Sequence, residues 1–222
     1  MVAEQKSTRL QALVADLELR IFSGEFEPGE HLKEVRFTQE LGHSRGLIRE
    51  AFKLLEQTGV VQVVPHKGVF VRDYSLTETL EMFDLRAHLA LMAVKQATLN
   101  ISPKIAQELK RKNQEMIESF NNDRPGDAMK QNWDFHRAIY SLCDNSLLVE
   151  LLDDLNKKQT LSCLRSFKVS TSVNDSTDEH CQIIGYLVDG DCERAAKAMH
   201  DHILQGKHRF MSLLQQLNKD QI

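Results

Sequence analysis

The sequence predicts a mainly α protein in two parts. Residues 1–74 form a winged helix-turn-helix of three helices and a β-hairpin wing, and residues 75–222 form an all-α antiparallel helical bundle. Three observations predict it. Apolar residues before position 58 recur at helical spacing in three short blocks. Two β-branched runs then flank a Pro/Gly turn. From Ser75 onward helix follows helix, each break marked by polar or capping residues.

The first block, Thr8 to Phe22, places Leu10, Leu13, Val14, Leu17 and Ile21 on one helical face. Gly24 stops it and Pro28-Gly29 makes a turn. A second helix spans Lys33 to Leu41 and is broken by Gly42-His43. Ser44 is a good N-cap for a third helix that reaches Gln57, since its short side chain can accept from an otherwise orphaned backbone N–H. Val60 to Val64, Pro65-His66-Lys67-Gly68 and Val69 to Val71 read as strand, turn and strand.

In the second part, Ser75-Leu76-Thr77-Glu78 has the form of a capping box opening a helix to Leu99. Ser102-Pro103 supplies an N-cap and a first-turn proline for a helix to Phe120. Helices follow over Asp127–Leu142 and Leu147–Phe167. Val169–Asp175 reads as a polar connection. A second capping box, Ser176 to Glu179, opens a helix to Val188, and a last helix runs from Cys192 to Leu217.

Composition bounds what these parts can do. Hydrophobic content of 41% and charged content of 27% are ordinary for a globular chain. No apolar run is long enough to cross a bilayer and the first residues lack a signal-peptide pattern, so no membrane partner and a cytoplasmic location are expected. Cys143, Cys163, Cys181 and Cys192 form no CxxC pair, which suggests neither a thiolate zinc site nor a disulfide framework. The net charge is −4, and residues 1–75 hold 10 Lys+Arg against 11 Asp+Glu. This argues mildly against bulk attraction to nucleic acid, so any DNA contact must come from a local cluster.

Such a cluster exists. Arg45, Arg49 and Lys53 stand four residues apart on one face of the third helix, opposite Ile48, Ala51, Phe52 and Leu55. A helix with a basic stripe toward its N-terminus suits the major groove, where an arginine fork can bind guanine at two points, and Ser44 with the helix dipole favours a phosphate. Lys67, at the hairpin tip, can reach a phosphate or the minor groove. By itself, three basic residues on a face are as compatible with a merely solvated surface.

The linked segments Ile21 to Leu32, Leu41 to Phe52, Leu54 to Val61 and Lys67 to Val71 resemble the winged helix of GntR-type bacterial regulators. That resemblance implies DNA contacts at Arg36, Arg45 and Arg49, a wing tip at Gly68, and binding as a homodimer to an inverted-repeat operator in double-stranded DNA. Gly46-Leu47 and His43 depart from the commoner residues of the signature and leave the operator sequence open.

Nine histidines are present, and spacing alone does not single out any three of them. Asn132 and His136 lie one helical turn apart and can converge on one point. The segment Leu76 to Gln215 resembles the FCD ligand-binding domain that accompanies this winged helix, through Phe135 to Ile139, Asn145 to Leu148, Glu179 to Ile184, Gly190-Asp191 and Ala195 to Ile203. The resemblance implies metal ligation by Asn132, His136, His180 and His202, and an effector-binding arginine at Arg86; the six helices are similar to the shorter, VanR-like branch. Imidazole ligands suit zinc or nickel. Asn132 stands where the family usually has Asp, so a neutral amide oxygen replaces a carboxylate. The implied function is a ligand-responsive regulator, expected to repress, whose divalent metal anchors a small organic acid. The alternatives are a helical domain that only dimerises, and a metal-dependent hydrolase, against which the absence of HExxH weighs.

Overall fold

The computed structural model describes residues 2–122, 124–167 and 174–219. Of the connection expected over Val169–Asp175, residues 169–173 lie outside the described residues. The chain divides into two compact units, residues 1–75 with 160–165, and 76–159 with 166–222.

The first unit is built from α1 (Val2–Phe22), β1 (His31–Leu32), α2 (Glu34–Leu41), α3 (Arg45–Gln57), β2 (Val61–Val64) and β3 (Gly68–Val71). Helix α1 starts six residues before the periodic block because Ala3, Glu4, Gln5 and Lys6 are good helix formers and nothing there breaks it. Its Leu13, Leu17 and Ile21 are buried, as are Phe37 of α2 and Ile48, Ala51, Phe52 and Leu55 of α3. Phe37 joins the two helices by an edge-on contact with Phe52, ring centroids 5.7 Å apart. Burying each such side chain is worth roughly 1.5–3 kcal/mol, which locks the α2–α3 angle. Gly42 ends α2 at φ 65°, a left-handed conformation that L side chains rarely adopt.

The expected hairpin forms, with Val61 opposite Val71 and Val64 opposite Gly68, so that Gly68 belongs to β3 rather than to the turn. The sheet order is β1-β3-β2, all antiparallel. Strand β1 was not expected: two residues are too short to show alternation, and only its pairing of His31 with Phe70 reveals it.

The second unit comprises α4 (Leu76–Leu99), α5 (Pro103–Asn121), α6 (Pro125–Tyr140), α7 (Ser146–Phe167) apart from its residues 160–165, α8 (Asn174–Val188) and α9 (Cys192–Lys219). Helix α4 turns a line of small residues, Ala87, Ala90, Ala93 and Ala97, toward the core, and α9 offers Ala195 and Ala196 beside Met199 and Ile203. Small side chains let these two long helices pack closely. Helix α5 packs on α6 and α8, and α8 on α9. Ser102 caps α5 and Asn145 caps α7 through their side-chain oxygens. Helix α8 begins two residues before the expected capping box. The Glu179 carboxylate does not reach back to a cap; it is bonded instead to His202 and Arg209. No described helix is long and apolar enough to cross a membrane.

Candidate metal centre and nucleic-acid interface

Three helices of the second unit bring His136 (α6), His180 (α8) and His202 (α9) together. Each is buried, and one ring nitrogen from each lies within 4.8 Å of the others. Among the described residues no other group of three or more His, Cys, Asp or Glu converges in this way. The Nε2 atoms of His136 and His202 are 3.2 Å apart, and the ring centroids of His180 and His202 are 4.7 Å apart.

Hydrogen bonds on the far side of the rings set which nitrogen faces inward. Asn113, buried on α5, donates from Nδ2 to the Thr177 carbonyl at 3.0 Å and to Cys181 Sγ at 3.4 Å. Its Oδ1 must then be the acceptor that faces His180 Nδ1 at 2.9 Å. The Nδ1 proton is thereby fixed, and His180 Nε2 carries a bare lone pair; it is buried with no partner. His202 Nδ1 likewise donates to Glu179 Oε2 at 2.6 Å, leaving Nε2 as an acceptor. Arg209 holds Glu179 through two nitrogens, at 2.8 and 3.0 Å. Burial alone would raise the Glu179 pKa, but the bonds from His202 and Arg209 overcome it and hold the carboxyl at about 2. Burial pushes His136 and His180 well below the usual imidazole range, aided by the neighbouring His202, so both are neutral. Burial also lowers His202, against the pull of Glu179.

The pocket is therefore rich in acceptors and poor in donors. His180 Nε2 is buried without a hydrogen bond, His202 Nε2 faces His136 Nε2, and Asn132 Oδ1, one turn before His136 on α6, is buried with no hydrogen bond among the described residues. An unpaired buried acceptor costs about 1–3 kcal/mol, a cost that a bound cation would offset. The 3.2 Å separation of the two Nε2 atoms matches the roughly 3.3 Å expected of two imidazoles on a tetrahedral zinc with bonds of about 2.05 Å. The donor set thus fits a divalent metal.

Arg86, on α4 and 5% exposed, donates from one terminal nitrogen to Asn156 Oδ1 of α7 at 2.6 Å. Its charge is among the causes that lower His136 and His202, so it stands within electrostatic reach of the centre. Burial raises the nearby Tyr140 hydroxyl to about 12. Sequence reasoning missed Asn113, Asn156 and Arg209. An Asn on a helix carries no signal of its function. Glu179 was read as the end of a capping box, whereas its partners are the histidine and the arginine of the next helix.

In the first unit, Ser44 caps α3 by accepting from the Leu47 N–H at 3.3 Å. Arg45 and Lys53 are exposed and, among the described residues, make no ion pair. Arg49 is exposed but bonded to Glu34 of α2. Arg36 lies in a network: its Nε donates to Glu40 at 2.7 Å, a terminal nitrogen donates to Glu25 at 3.1 Å, and Arg20 bonds both acids. Arg36 can approach DNA only with its remaining nitrogen or by leaving this network. Lys67 is exposed in the turn between β2 and β3.

Gly68 opens β3 at φ 110°, and a Cβ there would stand 2.6 Å from His31 Nε2. His31 is in turn stacked on Phe70, centroids 4.8 Å apart. Gly68→Val is expected to displace His31 and destabilise the wing by roughly 1–3 kcal/mol, read as a lower unfolding midpoint of the full chain.

The comparisons with known proteins agree on both units. The model of bacterial regulatory proteins of the gntR family matches residues 10–71 and that of the FCD domain matches residues 81–205, more than half of the chain. The HTH-type transcriptional repressor GlaR of Escherichia coli is 28% identical over 193 residues, covering 83% of this chain and 87% of that protein. The Uxu operon transcriptional regulator of Escherichia coli is 28% identical over 233 residues, covering 94% and 88%. In fold, the chain is similar to Escherichia coli McbR/YncC, with a TM-score of 0.82 and 20% identity over 94% of this chain and 98% of that one. The matched families and these relatives are regulators of transcription, not enzymes. The chain belongs to the GntR family of bacterial regulatory proteins, a DNA-binding transcriptional regulator with an FCD domain.

Proposed function

We propose that this regulator acts as a repressor whose helical domain holds a divalent metal and binds a small carboxylate effector there. The observation that carries the reading is the convergence of three buried, neutral imidazoles, two of them oriented by Asn113 and Glu179. His136, His180 and His202 would hold the metal, with Asn132 Oδ1 as a weaker fourth donor. When bound, zinc or nickel supplies open coordination positions that accept a carboxylate oxygen. Arg86 offers a buried cation for the same anion, and Asn156 orients its guanidinium. Relatives named for repression include GlaR and the D-xylose utilization operon repressor, which supports the sign of the regulation.

The effector changes operator affinity only by preferring one conformation of the regulator, and a coupling of about 1–3 kcal/mol is typical. Asn132→Asp tests the fourth donor. A carboxylate is the stronger ligand for a dication, so this variant is expected to bind zinc more tightly in a competition with a fluorescent chelator. Equal or weaker affinity would remove Asn132 from the ligand set.

The functional unit is proposed as a homodimer on an inverted repeat, which matches two-fold symmetry in protein and operator. Leu85, Met92 and Leu99 stand exposed at intervals of seven along α4, at 57%, 53% and 76%. A seven-residue apolar seam of this kind pairs with its own copy. The double variant Leu85→Glu with Met92→Glu is expected to sediment as a monomer at concentrations where the wild-type chain is a dimer. An unchanged sedimentation coefficient would move the interface elsewhere.

A further inference from the structure

Arg49 of α3 is held by one acid from the neighbouring helix. Its Nε donates to both oxygens of Glu34, at 3.0 and 2.9 Å. Glu34 stands in the first turn of α2, and the two side chains are 28% and 65% exposed. The bond is made at the inner nitrogen of the fork. Among the described residues the two terminal nitrogens of Arg49 carry no hydrogen bond, so four of its five N–H donors remain for another partner. Arg45 and Lys53, on the same face, make no ion pair among the described residues, and Arg36 spends Nε and a terminal nitrogen on Glu40 and Glu25. Arg49 alone on this face is gripped at the base of its guanidinium with its outer edge left open.

We infer that Glu34 is a positioning residue for DNA recognition: it grips Arg49 by Nε and presents the two terminal nitrogens, fixed in direction, to the duplex. An unrestrained arginine loses rotamer freedom when it forms a two-point contact, and a braced one has lost much of it beforehand. A second consequence is electrostatic. The carboxylate stands beside the DNA-facing surface and repels phosphates whatever the base sequence. One side chain thus strengthens binding to the right sequence and weakens binding to every other, which widens discrimination without a base contact of its own. The inference rests on Arg49 facing DNA, as its place on the recognition helix implies.

The test uses the full chain and two probes: a duplex selected from a random pool by the wild-type protein, and a scrambled duplex of the same length. Affinities are measured across a range of salt. Glu34→Ala is expected to weaken the selected duplex by roughly tenfold, less than losing the two-point contact outright in both half-sites, and to strengthen the scrambled one a few-fold, because a repulsive charge is gone from each protomer. Glu34→Gln keeps an acceptor for Nε and loses the charge. It should recover part of the specific binding while matching Glu34→Ala on the scrambled duplex. In Arg49→Ala the further change Glu34→Ala should cost the selected duplex nothing more, since the two act as a unit. An exposed pair contributes little to stability, so unfolding midpoints should stay close to wild type. Tighter binding of both duplexes would make Glu34 a repulsive charge only, and weaker binding of both would make the pair merely structural. Unchanged affinities would remove it from recognition; any of these overturns the inference. A wild-type chain that selects no duplex would instead overturn its DNA-binding premise.

Discussion

His180→Ala is expected to yield a protein that retains no divalent metal through gel filtration and whose unfolding midpoint no longer responds to zinc. Of the three proposed ligands, His180 is the one most firmly prepared for the task. It is fully buried on α8 and stacked on Phe135 with centroids 4.0 Å apart. Its Nδ1 proton is committed to Asn113, which leaves the Nε2 lone pair free to bind a cation. Losing one of three imidazoles leaves two and an amide, too few to compete with water for zinc. For the wild-type chain, metal at a thousandfold excess over its dissociation constant contributes about 4 kcal/mol. In a protein of this size that is a rise of about 8–16 °C in the unfolding midpoint. Differential scanning fluorimetry with zinc or chelator reads it directly. A zinc-dependent rise of the same size in His180→Ala would place the metal elsewhere.

Arg45→Ala is expected to weaken operator binding by roughly 30-fold or more while leaving the fold intact. Arg45 is the first residue of α3, exposed and without an ion pair among the described residues, at the end of a recognition helix that enters a major groove first. One two-point contact to guanine is worth about 1–3 kcal/mol. A dimer on an inverted repeat loses it twice, about 2–6 kcal/mol in all. Fluorescence anisotropy with the selected duplex checks the affinity, and circular dichroism checks the fold. Unchanged affinity would remove α3 from the groove.

Both sites were legible in the sequence to different depths, for physical reasons. The winged helix was readable in detail because its signals are local: Ser44 caps, Gly42 stops, and the β-branched runs alternate around a tight turn. Strand β1 escaped because a two-residue strand exists only through its partner. In the bundle, helix boundaries came within a few residues, since caps such as Ser102 and Asn145 act on their own turn. The histidine centre is different. Nothing in the sequence around His180 announces that His136 and His202 will meet it, and from spacing alone the three were indistinguishable from the other six. Only the likeness to a known domain separated them. The residues that orient the rings, Asn113 and Glu179, act through contacts 67 and 23 positions away in the chain. Arg49 and Glu34 show the same limit on a smaller scale. The basic stripe was visible as a stripe, but which of its members is braced depends on how α2 packs against α3.

The account stands on a metal held by three imidazoles in the helical domain. Elemental analysis of the purified full chain, loaded with zinc and desalted, together with X-ray absorption at the zinc edge, tests this most directly. It should find one zinc per chain with a coordination shell dominated by imidazole nitrogen at about 2.0–2.1 Å. Zinc that washes away, or a shell containing cysteine sulfur, would contradict it.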